Sequence, residues 1–337
     1  MKNEEFKSIK LIISQIENMN KKLSIYNNVA KAMAGCALLC IILTAITGCK
    51  GNKNNAFDPN KPTVTVTIEP FRYFVEQIAG DDVNVNVMVP AGSNPETYEP
   101  SAKQMMELAH SDLYCKVGEI GFEKTWMNKL HKNAPKMKII DTSAGIEMQK
   151  TRSGYDDPHT WMSLRNAEII TANIAGALMN QYPDKAEKYK KKYWEYRKHL
   201  NELQEKMDKY YFSVSGGRQT GFVIYHPILT YFAKDFGFEQ YPIEDEGREP
   251  SIAQLQELIN LAKSEEISVL FVQKEFANRN VQTFIDATHV KPIEINPLSY
   301  DWEGQMLFIM KCMTSTVKSP KAAQKTWIRQ EGERGDL

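Results

Sequence analysis

The amino-acid sequence predicts an α/β fold with two small lobes, each built around a mostly parallel sheet, joined by one long rigid helix. Short strand-like runs alternate with helix-like runs in residues 63–182 and again in residues 213–316. One helix-periodic segment, residues 183–212, separates these two regions. Alternation of strand and helix favours parallel strands with helical crossovers. A chain of 337 residues is long enough for each lobe to have its own core.

Residues 63–182 are assigned to the N-terminal α/β lobe. Val64, Val66 and Ile68 alternate with threonines, and valines occupy every second position from 83 to 89. This period of two is typical of half-buried strands. The predicted strands of this lobe are 64–68, 83–89, 112–117 and 137–140, and its predicted helices are 71–78 and 166–182.

The segment from Pro183 to about Phe212 is the most regular in the chain. Its apolar residues recur at steps of four and three, so they share one face of a helix. They are Tyr189, Tyr193, Tyr196, Leu200, Leu203, Met207 and Tyr210. Such a helix is roughly 45 Å long at 1.5 Å per residue, too long for one small lobe, so we predict that it joins the two. A free coiled coil is the alternative, but a short, tyrosine-rich stripe favours packing on the lobes.

Residues 213–316 form the predicted C-terminal α/β lobe. Its predicted strands are 222–225, 269–272 and 293–295, and its predicted helices are 228–236 and 252–264. The pattern ends near Thr316, and residues 317–337 are predicted to be a disordered tail.

The N-terminal region has the composition of an export signal. Basic residues follow Met19, an apolar run covers residues 32–46, and the sequence Ile-Thr-Gly-Cys ends at Cys49. This ending resembles a bacterial lipobox, so residues 19–48 are predicted to be a lipoprotein signal peptide. The protein is therefore expected outside the cytoplasm, lipid-anchored through Cys49 to the periplasmic face or the cell surface. Residues 49–62 are polar and turn-rich, as in a flexible tether, and the extension 1–18 has no assigned role.

Composition excludes several classes of function. The chain has 42 basic and 42 acidic residues, which gives no general attraction to nucleic acid. Of the cysteines, only Cys115 and Cys312 lie in the predicted mature body, where we expect free, buried thiols rather than a cysteine metal site. The sequence contains no phosphate-binding loop, dinucleotide fingerprint, nucleophile elbow or His-Glu-x-x-His motif.

Four polar residues occupy similar settings. Glu96, His159, His226 and Asn296 each adjoin a proline, which restricts the local backbone. At least three of them follow a predicted strand, where an α/β lobe opens its cleft. Two precede the long helix and two follow it, so a site in the cleft between the lobes would draw on both. Histidine and carboxylate side chains are common ligands of divalent transition metals.

The sequences around these residues resemble a known family. Residues 90–100 are similar to the first metal-ligand loop of the zinc and manganese substrate-binding lipoproteins of ABC transporters, the zinc-uptake and adhesin-like group of cluster A-I. Residues 157–161 resemble its second loop, 225–233 its third and 296–298 its last. The long linking helix also resembles the rigid backbone of this family. The resemblance covers roughly residues 62–312.

The sequence departs from the family pattern at two ligand positions. The family usually has histidine where Glu96 stands and aspartate where Asn296 stands. The resemblance therefore implies Glu96, His159 and His226 as metal ligands, with Asn296 as a supporting residue or weak fourth ligand. Water, Asp301 or Glu275 would complete the coordination sphere.

The resemblance implies a binding protein rather than an enzyme. We expect a monomer that captures a divalent metal, Zn²⁺ first, and delivers it to an ABC-type permease in the membrane. A single carboxylate favours Zn²⁺, although the segment 148–156 lacks the histidines of many zinc-binding members, and Mn²⁺ or Fe²⁺ are the alternatives. Two other classes remain: a metallohydrolase using a His₂-Glu zinc site, and a surface adhesin.

Overall fold

The computed structural model describes residues 57–214, 221–245, 247–273 and 279–314, and everything described below lies within the compact unit Asp58–Leu337. The extension 1–18, the signal peptide 19–48, Cys49, Glu275 and the tail 317–337 lie outside the described residues. In the described part of the chain, no helix is both long and apolar enough to cross a membrane.

The N-terminal lobe is a four-stranded parallel sheet with helical crossovers. Its strands lie in the order β2-β1-β3-β4, with Val64 of β1 opposite Val85 and Leu113 of its two neighbours. The strands are β1 Thr63–Val66, β2 Asn84–Val87, β3 Leu113–Lys116 and β4 Lys138–Asp141. The helices are α1 Glu69–Ala79, α2 Ala102–Leu108, α3 Gly121–Asn133 and α4 Leu164–Gln181.

The C-terminal lobe repeats the same topology. Its parallel strands lie in the order β6-β5-β7-β8, so the first strand is again second from the edge. The strands are β5 Gly221–Ile224, β6 Glu239–Pro242, β7 Leu270–Gln273 and β8 Pro292–Ile295. The helices are α6 Thr230–Phe236, α7 Ile252–Ser264, α8 Arg279–Thr288 and α9 Trp302–Thr314. Two parallel sheets confirm the predicted α/β class.

A local sequence repeat accompanies the repeated topology. Residues 99–108 and 249–258 both read Glu-Pro-Ser-x-x-Gln-x-x-Glu-Leu. In both lobes the serine is the N-cap of a helix and forms a capping box with the glutamine three residues later. Each capping box satisfies backbone N–H groups that have no partner inside the helix. The helices that follow β2 and β6 therefore begin with the same signal.

The linking helix α5 covers Ala186–Val214, 29 residues, about 44 Å, and follows a 3₁₀ turn at Pro183–Lys185. It packs on α1 and α4 of the N-terminal lobe and on α9 of the C-terminal lobe. Its buried residues follow the predicted stripe: Tyr189, Tyr196, Leu200, Leu203 and Met207. Burial of this face on both lobes stabilises a helix whose residues would not hold it together in isolation.

Five described α-helices and strands are not predicted from the sequence: α2, α3, β6, α8 and α9. The helix α2 has seven residues, too few to show a clear period. The strand β6 reads Glu-Gln-Tyr-Pro and lies at a sheet edge, where proline is tolerated. The helix α9 is apolar over most of its surface, so it lacks a polar stripe that would reveal its period.

The two lobes are joined by buried contacts as well as by the linking helix. Trp161, in the loop before α4, donates its Nε1–H to the carbonyl of Pro297 at 3.0 Å. Trp302 of the other lobe donates its Nε1–H to the carbonyl of Trp161 at 2.8 Å. Both indoles are fully buried in a core cluster with residues from both lobes. The lobes are therefore packed against each other beside the loop that carries His159.

The two described cysteines are free and buried. Burial raises the pKa of the Cys312 thiol to about 11, and burial raises the pKa of Cys115 as well. Neither thiol is therefore a reactive thiolate near neutral pH.

Candidate metal centre

Two histidines from different lobes face each other in the cleft. The Nε2 atoms of His159 and His226 lie 3.2 Å apart, and their rings are nearly perpendicular, with an interplanar angle of 83°. Two nitrogen ligands at 2.0–2.1 Å from a tetrahedral zinc ion lie about 3.3–3.4 Å apart. The spacing of the two Nε2 atoms is therefore close to that of two ligands sharing one tetrahedral ion.

His159 is oriented by the aspartate of its own loop. The Asp157 Oδ1 atom lies 2.7 Å from His159 Nδ1 and accepts the His159 backbone N–H at 2.9 Å. Asp157 is only 1% exposed, and its carbonyl accepts the hydroxyl of Tyr231 from the other lobe at 2.7 Å. An ionised carboxylate only accepts hydrogen bonds, so Nδ1 must carry the proton and Nε2 keeps its lone pair for a metal.

His226 is oriented in the same way by Glu244. The His226 Nδ1 atom forms a short hydrogen bond with Oε1 of Glu244. Glu244 follows β6 and is 4% exposed. The backbone around His226 is held by Gln273, whose Nε2 donates to the His226 carbonyl at 2.8 Å and whose Oε1 accepts the His226 N–H at 3.4 Å. Gln273 ends β7, and Glu244 N–H bonds to the Tyr225 carbonyl at the end of β5. Three neighbouring strand ends thus fix one imidazole.

The surrounding carboxylates set the proton affinity of His159. Burial alone lowers the pKa of this imidazole, but Asp157, Glu96 and Glu244 outweigh burial and hold the pKa above its usual value. Burial by itself would raise the pKa of the Asp157 carboxyl. The neighbouring His159 outweighs burial, so the pKa of Asp157 lies below its usual value. The electrostatic environment therefore favours positive charge at Nε2, as a metal cation would supply.

Glu96 lines the same cleft but is held by a different partner. It lies in the loop between β2 and α2, and its Oε2 accepts the backbone N–H of Gly121, at the start of α3, at 3.0 Å. Its own N–H donates to Asn94 Oδ1 at 2.8 Å. Glu96, His159 and His226 all line the cleft, together with Gln273. However, no set of three or more His, Cys, Asp or Glu side chains among the described residues is close enough to hold an ion.

Asn296 and Asp301 make local hydrogen bonds outside the cleft lining. The Asn296 Oδ1 accepts the N–H of Leu298 at 3.2 Å, a turn that side chains of this type often form. Asp301 precedes α9 and its Oδ1 accepts the N–H of Gly304 at 3.1 Å, as a helix N-cap does. Pro297 and Leu298 line the cleft, whereas Asn296 and Asp301 are not among its lining residues. Glu275 lies outside the described residues.

Comparison with known proteins identifies the group to which this architecture belongs. The sequence profile of the family described as ZnuA, zinc-uptake complex component A periplasmic, matches residues 64–319. The chain is 29% identical over 280 residues to the zinc-binding lipoprotein AdcA of Streptococcus pneumoniae, covering 78% of this chain and 54% of AdcA. It is 26% identical over 275 residues to the manganese ABC transporter substrate-binding lipoprotein PsaA of Streptococcus anginosus, covering 77% of this chain and 87% of PsaA.

A solved structure supports the same assignment. The zinc-bound crystal structure of a ZnuA deletion mutant superimposes with a TM-score of 0.72 at 30% identity, covering 77% of this chain and all of that one. The chain spans only about half the length of AdcA, 54%, so the match concerns one part of that relative. Since the profile covers both lobes and the linking helix, this chain belongs to the ZnuA family of periplasmic zinc-uptake components.

Proposed function

We propose that this protein is an extracytoplasmic, lipid-anchored solute-binding protein that captures a divalent transition metal, Zn²⁺ first, and passes it to an ABC-type permease. The observation that carries the proposal is the 3.2 Å separation of the His159 and His226 Nε2 atoms. Each histidine has a buried carboxylate on its other ring nitrogen, which is the usual arrangement around metal-binding imidazoles.

In this proposal His159 and His226 supply two nitrogen ligands and Glu96 supplies a carboxylate oxygen. We propose a water molecule as the fourth ligand, because Asn296 and Asp301 are not among the residues that line the cleft. Asn296 then supports the 296–298 turn that lines the cleft. Three protein ligands with one exchangeable position suit an ion that must also be released.

Zinc is the metal that this donor set favours. Two imidazoles and a single carboxylate suit Zn²⁺, whereas Mn²⁺ prefers a larger share of oxygen ligands. The relatives include both a zinc-binding and a manganese lipoprotein by name, so the choice rests on this chain's own donors. We propose metal capture without catalysis, which is supported by the name of the relative PsaA, a manganese ABC transporter substrate-binding lipoprotein.

Elemental analysis of the purified protein, with competition titration of zinc against manganese, tests the proposal. We expect one equivalent of bound metal and a preference for zinc. A protein that binds neither ion, or that hydrolyses ester, peptide or phosphate substrates when loaded with zinc, would contradict the proposed function. The anchor is tested by membrane fractionation, in which Cys49→Ala should move the protein to the soluble fraction.

Zinc affinity is expected to fall as the pH is lowered from about 8 to about 5. A metal binds the neutral imidazole, and the pKa of His159 is raised above its usual value by Asp157, Glu96 and Glu244, despite burial. Protons therefore begin to compete with zinc for His159 at a higher pH than they would for a free imidazole, whose pKa is about 6.5. Affinity should fall by up to about tenfold per pH unit for each imidazole that gains a proton. Calorimetric titrations across this range measure the effect, and a flat profile would exclude histidine ligation.

A further inference from the structure

Gly121 allows the Glu96 carboxylate to lie unusually close to the polypeptide backbone. A Cβ atom at Gly121 would lie 2.2 Å from Glu96 Oε2 and 3.0 Å from the Glu96 carbonyl oxygen. Gly121 is not among the residues with positive φ, so its backbone conformation does not itself require glycine. The close approach of Glu96 is the contact that explains glycine at this position.

The start of α3 holds the Glu96 loop at two points. Besides the bond from Gly121 N–H to Glu96 Oε2, the Phe122 N–H donates to the carbonyl of Pro95 at 2.9 Å. These N–H groups belong to the first turn, where they have no carbonyl partner inside the helix, and the helix dipole favours a negative charge there. The helix is 13 residues long. Oε2 is thereby engaged, while Oε1 accepts no hydrogen bond from the described residues.

The three candidate ligands therefore share one feature. Each has one polar atom held by a fixed partner: Asp157 for His159, Glu244 for His226, and the Gly121 N–H for Glu96. Partners of this kind orient metal ligands and select which atom faces the ion. For a carboxylate, the consequence is that the oxygen without a hydrogen bond is the one better placed to bind.

We propose that Gly121 is a specificity-determining residue that makes Glu96 a one-oxygen ligand and so favours four-coordinate zinc over manganese. The inference rests on the proposed function. Zinc sites in proteins are mostly tetrahedral, whereas manganese takes six ligands, mainly oxygens. A carboxylate that binds through both oxygens raises the coordination number. The hydrogen bond from Gly121 occupies one lone pair of Oε2 and fixes the orientation of the carboxylate, which disfavours binding through both oxygens and favours a site of two imidazoles and one oxygen.

The test compares Gly121→Ala with the wild type in competition titrations of zinc and manganese at one pH. The added Cβ displaces Oε2, so zinc affinity should fall by about tenfold or more, the usual scale for losing an orienting partner, and the zinc-to-manganese affinity ratio should fall with it. Gly176→Ala is the matched control, because Gly176 lies within α4 and a Cβ there meets nothing within 4 Å. In a Glu96→Ala background, Gly121→Ala should leave the ratio unchanged.

Coordination geometry gives a second readout that does not depend on affinity. Cobalt(II) bound to the wild type should show the intense visible bands of a four-coordinate ion, and Gly121→Ala should weaken them. Gly121→Pro removes the N–H itself at a helix position that accepts proline, since Ile120 before it has φ −70° and ψ 147°. Gly121→Pro should change the zinc-to-manganese affinity ratio and the cobalt(II) spectrum in the same direction as Gly121→Ala does. Thermal unfolding shows that both variants fold.

Two results would overturn the inference: an unchanged affinity ratio in folded Gly121→Ala and Gly121→Pro, or an equal change when Glu96 is alanine. Either could occur while the wild type still binds zinc through its histidines, in which case the proposed function stands. Failure of the wild type to bind any metal would instead remove the proposed function.

Discussion

Replacing either His159 or His226 with alanine is expected to reduce zinc affinity about 100-fold. A four-ligand zinc site is worth about 10–16 kcal/mol at neutral pH, so one ligand contributes on the order of 3 kcal/mol, or about two factors of ten. The Nε2 atoms of these residues are already 3.2 Å apart, so little reorganisation accompanies binding. Removing both should abolish zinc binding at micromolar concentration. Competition against a chelator of known affinity measures the loss.

Two further variants show whether the loss reflects coordination. Glu244→Gln keeps the shape of the buried partner of His226 but removes its charge, and should cost about 10- to 100-fold in affinity. His131→Ala changes an exposed histidine on α3 and should have no effect. An equal loss in His131→Ala, or full affinity in His159→Ala, would be incompatible with the site.

Replacing Trp161 with alanine is expected to reduce the free energy of unfolding by about 3–5 kcal/mol, the usual cost of removing a buried large aromatic side chain. Trp161 is fully buried, packs edge-on against Phe71 with ring centroids 6.4 Å apart, and bonds to the Pro297 carbonyl of the other lobe. The variant also leaves that carbonyl without its donor. Denaturant unfolding of the metal-free protein measures the change.

Trp194 supplies the matched control for this prediction. It lies on the linking helix with about half of its surface exposed, 52%. Within the described part of the chain, its ring contacts are with the Arg197 guanidinium, 5.0 Å from the ring centroid, and with the tilted ring of Tyr193. Trp194→Ala should cost less than about 1 kcal/mol, as for most exposed positions. If Trp161→Ala were no more destabilising than Trp194→Ala, the packing of the lobes through Trp161 would not contribute to stability.

The two histidines could be predicted because their neighbourhoods are local in sequence. His159 follows Asp157 and Pro158, and His226 follows a strongly apolar strand and precedes Pro227. Glu244 gives no such signal, since it follows an edge strand of four residues that lacks clear alternation. Its pairing with His226 depends on β6 lying beside β5, a parallel neighbour reached only through a helical crossover.

Asn296 illustrates the opposite case. Its position after β8 and before a proline is the same as that of His226 after β5, so it is a candidate for a weak fourth ligand although its side chain is neutral. In the structure its Oδ1 is used within its own turn. Whether a side-chain oxygen faces a cleft or its own backbone depends on competing hydrogen bonds a few ångströms away, and residue order does not contain that information.

Sequence alone was enough to predict the α/β class and to propose the linking helix and the two candidate histidine ligands, because hydrophobic period, helix length and short motifs are properties of neighbouring residues. Only the tertiary structure decided that the two Nε2 atoms meet at ligand spacing, that buried carboxylates orient them, and that Glu96 is held by Gly121. These contacts join residues between 2 and 67 positions apart, and their geometry is set by how strands pair and helices pack once the chain is folded.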